Sequence, residues 1–149
     1  MIRDVAVRPL RQIVDERGKV MHMLRRDDPW FKDFGEIYFS VVNPGAVKAW
    51  HLHKTMTLNY AVVVGRVKLV LHDLRPDSPT RGRTQEILSG GEDYALVTIP
   101  PGIWNGFKGL GSAAAVVANC ATVPHDPQEI VRLDPASPEI PYDWGIRHA

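Results

Sequence analysis

The sequence has one cysteine, Cys120, so no disulfide within the chain can brace the fold. That usage suits a reducing compartment, and the expected location is the cytoplasm. The surrounding "AAAVVANCATV" reads as a buried strand, which gives the thiol a packing role. No run of 18 apolar residues occurs, so a membrane-spanning helix is not expected. The opening "MIRDVAVRPLRQ" is charged and lacks an apolar core, so no secretory leader is expected either. Charge of one sign is missing too: 18 basic residues against 17 acidic ones leave a net charge of +1. Nothing in that balance favours nucleic acid or an anionic membrane as a partner, although it allows a local cationic pocket for one phosphorylated ligand. Helix signals are scarce. The one segment that carries them is "DDPWFKDF" (27–34), with Asp28 as N-cap and Pro29 at the first helical position, long enough for a turn or two.

Strand signals fill the space. A chain of 149 residues is expected to form one domain, 1–149, large enough to bury about 68–70% of its unfolded surface. Apolar and β-branched runs at 18–26, 36–43, 57–64, 66–74, 84–88, 94–99 and 112–123 are separated by Gly, Pro, Asn or Asp. Gly65, between two such runs, predicts a tight hairpin turn. In 66–74, Val67, Leu69 and Leu71 alternate with polar residues until Val70 breaks the pattern, as a strand covered on both faces would. Many short strands at regular spacing predict an all-β sandwich or barrel, with the jelly roll as the nearest type. From about Pro124 a proline-rich tail is expected to wrap the barrel as an arm.

Two histidines, His51 and His53, end the segment "NPGAVKAWHLHK". With Gly45 before them and Gly65 after, the layout G-x5-H-x-H…G resembles the first cupin motif, and "IPPGIWNGF", with Pro100, Gly102 and Asn105, resembles the second. The fold class expected is therefore a cupin-type double-stranded β-helix. Residues i and i+2 of a strand share a face, so the two imidazoles project together. Metal-binding cupins add a Glu and a third His, where this chain has Thr57 or Leu58 and Asn105. Asn is a weak neutral donor for first-row metals, so neither a metal nor another cofactor is expected. Acid–base work is the reading for His51 and His53, the side chain best poised near neutral pH. A metal-dependent cupin and a pair of histidines hydrogen-bonded within the barrel stay as alternatives. Abstraction of a proton beside a carbonyl would need a donor to the enolate oxygen, for which Lys48 and Asn105 are the candidates. Trp50, Trp104 and Tyr60 either stack on a ligand or pack in the core.

Beyond the cupin frame, the chain resembles the dTDP-4-dehydrorhamnose 3,5-epimerases. Asp73, Arg75, Ser78, Pro79, Thr80 and Gly82 match the family's D-x-R…S-P-T-x-G without a gap, "DERG" (15–18) matches its N-terminal motif, and "LDP…IPYDW" (133–144) resembles its end. The resemblance implies a jelly-roll homodimer that acts on a nucleotide-linked 4-keto-6-deoxyhexose, with His51 as general base and Arg17 at the diphosphate. Departures fall at the working positions. Lys48 stands for the family's Arg, His53 for a Gln, Asn105 for the second-motif His, and Asn119 for the tyrosine that serves as the opposing acid. Leu58 and Leu69 replace a Lys and an Asp, and the family segment with the histidine-orienting Asp is expected to fall beyond residue 149. "KAWHLHK" also resembles the R-G-x-H-A-H-K of nucleotide-sugar 3,4-ketoisomerases, which move protons on one face of the sugar. A relative that binds a sugar without catalysis is the remaining alternative.

Overall fold

A computed structural model of the chain describes residues 1–145. Its strands are β1 (Ala6–Pro9), β2 (Gln12–Asp15), β3 (Gly18–Met21), β4 (Glu36–Val42), β5 (Val47–His53), β6 (Leu58–Val64), β7 (Val67–Asp73), β8 (Thr84–Ser89), β9 (Ala95–Ile99), β10 (Ile103–Gly109), β11 (Ala115–Ala121) and β12 (Ile130–Arg132). One sheet runs β1-β9-β6-β11-β4 and the other β12-β5-β10-β7-β8, while β2 and β3 form a separate hairpin. All the strand pairs are antiparallel. The inner faces of the two sheets close on one apolar core that includes Leu58, Val62, Leu69, Leu71, Val97, Ile99, Phe107 and Val117. This is the jelly roll that the spacing of glycines and histidines predicts.

Two local expectations fail. Segment 27–34 is not helical: Asp28 N donates to Arg25 O at 3.1 Å and Phe31 N to Asp28 O at 3.0 Å, which makes successive turns. The Asp28 carboxylate accepts from the backbone N of Arg25 at 2.8 Å, behind it in the chain, and so caps nothing ahead. Trp30 lies under the Arg8 guanidinium at 4.6 Å. This cation–π contact, with the reversed Asp28 bond, outweighs a helix too short to offset its own nucleation. Gly65 is the second case. It closes no hairpin, because β6 and β7 belong to different sheets. With φ at 71° it carries the chain from one sheet to the other, where a Cβ would stand 2.9 Å from Ala115 Cα.

The tail beyond Pro124 does more than wrap. Ile130–Arg132 joins the second sheet as β12, in register Ile130↔His53 and Arg132↔His51. Leu133 then exchanges backbone hydrogen bonds with Trp50 at 2.9 and 3.0 Å. Ile140 and Trp144 pack with Trp50, Val70 and Trp104 into a second apolar cluster, with the Trp50 and Trp144 rings 5.0 Å apart. The tail thus covers the outer face of the sheet whose inner face holds the core. Leu69 and Leu71 point to one cluster and Val70 to the other, which accounts for the break in alternation along β7.

Candidate active site

An irregularity in β5 builds the site. Asn105 pairs with His51 and Phe107 with Lys48, so both Ala49 and Trp50 stand opposite Gly106. Glycine is required there, since a Cβ would come within 2.4 Å of the Ala49 Cβ. A bulge inserts one residue and so reverses the alternation of faces. Lys48, His51 and His53 therefore share the inner face despite the odd spacing of the first two, while Trp50 is sent to the outer cluster. The three line a cavity of about 650 Å³ together with Phe107 and Arg132. The facing sheet supplies Glu36, Tyr38, Ser40, Tyr60 and Val117.

His53 is clamped. Its Nδ1 bonds Oε1 of Glu129, and both side chains are buried. Oε2 of the same carboxylate accepts from the backbone N of Lys54 at 3.1 Å, Thr55 at 3.1 Å and Met56 at 3.3 Å, and from Thr55 Oγ1 at 3.3 Å. Burial pushes the Glu129 carboxyl upward, but the bonds from His53 and from these backbone groups hold it below its ordinary value. It is a carboxylate with its acceptor capacity filled.

His51 is free by comparison. Burial, then electrostatic coupling to Arg132, His53 and Lys48, pushes its pKa down to about 4. The ring is therefore neutral at neutral pH and able to accept a proton. An anion that neutralised Arg132 and Lys48 would raise its proton affinity toward the range of a useful base. Lys48 Nζ donates to Ser40 Oγ across the cavity at 3.0 Å.

On the opposite wall, Asn119 Nδ2 donates to the Tyr38 hydroxyl oxygen at 3.0 Å, and Tyr38 also shares a hydrogen bond with Tyr60. Burial raises the pKa of Tyr38, and that of Tyr60 well above the usual phenol value. Both stay protonated and able to donate.

Of the residues singled out in the sequence, His51, His53, Lys48 and Tyr60 come together on the cavity. Asn105 and Asn119 do not line it. Both are fully buried behind the walls: Asn105 Nδ2 donates to His51 O at 3.0 Å, its Oδ1 accepts from Tyr60 at 3.4 Å, and Asn119 Oδ1 accepts from the backbone N of Asn59 at 3.0 Å. Buried amides must satisfy both ends, and here protein groups do so, which leaves them as supports for His51 and Tyr38. Arg17 sits at the tip of the β2–β3 hairpin, outside the cavity lining, where it pairs with Asp15 at 2.7 Å with its side chain 83% exposed. Glu129, Arg132 and Tyr38 are the residues that sequence reasoning missed. The alternation Glu36–Tyr38–Ser40 was a usable signal, since it puts three polar groups on one face of an apolar strand. "PHDPQEIVR" offered none. Among the described residues, no three His, Cys, Asp or Glu side chains gather as a metal site.

The motif "DLRPDSPT" makes a different structure. The fully buried Asp73 carboxylate accepts from Arg75 N and Nε at 3.0 Å each, and from Ser78 Oγ and Thr80 Oγ1 at 2.6 Å each. Burial acts against the charge, but these donors hold the carboxyl well below the usual range.

A model of the dTDP-4-dehydrorhamnose 3,5-epimerase family matches residues 1–149. The probable low-salt glycan biosynthesis epimerase Agl13 of Haloferax volcanii is 34% identical over 144 residues, 95% of this chain and 89% of that one. The crystal structure of a dTDP sugar isomerase from Desulfovibrio desulfuricans G20 superposes with a TM-score of 0.95 at 44% identity, covering 99% of this chain and 94% of that one. The dTDP-6-deoxy-D-glucose-3,5-epimerase RmlC from Legionella pneumophila Philadelphia 1, in complex with dTDP-4-keto-L-rhamnose, superposes with a TM-score of 0.86 at 25% identity, over 99% of this chain and 81% of that one.

Proposed function

The chain belongs to the dTDP-4-dehydrorhamnose 3,5-epimerase family and is an epimerase-like enzyme of nucleotide-sugar biosynthesis; from that premise we propose that it inverts a carbon beside the ketone of a nucleotide-linked 4-keto-6-deoxyhexose. His51 acts as general base. It takes the proton from the carbon next to the carbonyl, the bonding pair moves into the ring, and the charge settles on the carbonyl oxygen. Lys48 donates to that oxygen. Tyr38 then returns a proton to the same carbon from the opposite side, which changes its configuration. Arg132 meets the diphosphate. Its charge, once neutralised by the ligand, no longer depresses His51, so substrate binding itself sharpens the base.

The observation that carries this reading is a neutral histidine and a protonated tyrosine on opposing walls of one cavity. The complex of the Legionella relative with dTDP-4-keto-L-rhamnose supports the substrate class. One observation favours a second reading: His51 and His53 lie on the same wall and could pass a proton between adjacent carbons on one face, as a 3,4-ketoisomerase requires.

Incubation with dTDP-4-keto-6-deoxyglucose in deuterated water, followed by ¹H and ¹³C NMR, separates these readings. Epimerisation replaces C3 or C5 protons with deuterium and gives a new stereoisomer. Ketoisomerisation moves the carbonyl carbon. Ligand-induced stabilisation with no exchange would overturn both and leave a binding protein.

A homodimer is part of the same reading. The edge strand β4 turns Ile37, Phe39 and Val41 outward at 55%, 64% and 53% exposure, an apolar stripe suited to a second copy. Sedimentation should give twice the chain mass, and Phe39→Asp should halve it.

A further inference from the structure

The two cavity imidazoles are held differently. A carboxylate grips the Nδ1 of His53, whereas among the described residues no side chain bonds the His51 ring. An ionised carboxylate accepts and does not donate, so Nδ1 carries a hydrogen, and in the neutral ring Nε2 is then the nitrogen with the lone pair. Nε2 is also the nitrogen left for the cavity that His53 lines. The carboxylate is itself immobile, since its second oxygen takes four donors from residues 54–56. Glu129 arrives from far along the chain, on the segment that lays β12 against β5. Lys54 N donates to Glu129 O at 2.8 Å, Leu133 is tied to Trp50, and Ile140 and Trp144 pack on the same tryptophan.

We propose that Glu129 is the positioning residue of the proton-transfer site: it fixes the tautomer and tilt of His53, so that Nε2 is presented to the sugar as a second proton acceptor beside His51. This rests on the proton-transfer reading above and goes beyond the family resemblance, which assigns the base to His51 alone. When Nε2 takes a proton, the charge forms against Glu129 inside the protein, where the pairing is strongest. When the proton leaves, the same carboxylate restores the starting tautomer. Docking of the tail becomes a condition for activity, because the tail carries the clamp.

The test uses the full chain and dTDP-4-keto-6-deoxyglucose. Glu129→Gln, which can accept from the backbone but cannot stabilise an imidazolium, should lower kcat by roughly 10- to 100-fold, with KM changed by less than about threefold. Glu129→Asp, which keeps the charge on a shorter stem, should recover several-fold of that loss. In ¹⁵N NMR of the unaltered protein, His53 should carry its proton on Nδ1, and Glu129→Gln should give a mixture of tautomers. Wild-type kcat in folded Glu129→Gln, with the His53 tautomer unchanged, would reduce Glu129 to an anchor for the turn after β5. Should Glu129→Gln fail to fold, a His53 protonated on Nε2 in the unaltered protein would overturn the proposal by itself. An unaltered protein that exchanges no sugar proton would instead remove the proton-transfer reading, and the Glu129 proposal with it.

Discussion

The Asp73 cluster and the His53–Glu129 wall are built from the same materials, a buried carboxylate, a cationic or titratable partner and several hydroxyl and backbone donors. Around Asp73 each group is spent on its neighbours: Arg75 reaches Asp73, Asp4 and the carbonyl of Arg3, while Ser78 and Thr80 both turn their hydroxyls inward. Around His53 the carboxylate is equally spent, but His51, Arg132, Lys48 and Tyr38 keep donors or lone pairs directed at a hollow. Hydrogen-bond density therefore does not identify a working site. Capacity left over beside a cavity does.

Substitutions can break that contrast at either end. His51→Asn or His53→Asn should lower the rate of sugar-proton exchange by about 10²- to 10⁴-fold, the usual contribution of a general acid or base, read by NMR in deuterated water. Asp73→Asn should leave the rate per folded molecule unchanged but cost about 1–3 kcal/mol of stability in urea titrations, since a neutral amide cannot accept from Arg75, Ser78 and Thr80 together. The pH dependence follows the sign of the shift. The Asp73 pKa is depressed in the folded state, so its stabilisation is complete above the unfolded value near 4 and is lost as pH falls through the lower folded value. Asp73→Asn should therefore flatten the acid limb of the stability curve.

Tyr38→Phe sharpens the contrast between the walls. Exchange at the carbon should persist, because the base is intact, while formation of the inverted product falls by about 10²-fold. A smaller effect is spectroscopic. The His51 ring should titrate near 4 in the free protein and move upward on addition of dTDP, as the phosphates offset Arg132 and Lys48. The matching stability effect has the same pH slope as that of Asp73, since both folded pKa values are depressed. Above pH 6.5 His51 contributes nothing, and as pH falls toward about 4 the unfolded chain binds a proton that the folded site refuses, so His51 lowers stability in that window. Smallest of all, Arg17→Ala breaks an exposed ion pair and should leave the urea midpoint essentially unchanged.

The sequence made the Asp73 cluster more visible than the site, and the reason is physical. Asp73, Arg75, Ser78 and Thr80 fold onto one another within a few residues, so their spacing is fixed and readable as a motif. The jelly roll was legible for a similar reason, since strand alternation and turn residues act over short distances. His51, His53 and Lys48 were legible because they share one strand, although their common face depends on a bulge against Gly106 that no periodicity announces. The rest of the site is assembled from afar. Glu129 stands 76 residues from His53, and Tyr38 reaches Asn119 across 81. Asn119 stands where the family has tyrosine, and the strand beside it places Tyr38, the residue proposed as the acid, in register with it.

The most direct measurement is the structure of the protein with a dTDP-linked 4-keto-6-deoxyhexose bound. The hexose is expected between the two walls, with His51 Nε2 or Nδ1 and the Tyr38 hydroxyl on opposite sides of one ring carbon and the diphosphate against Arg132. A ligand seated instead at Arg3 and Arg75, with the β5 cavity empty, would contradict it.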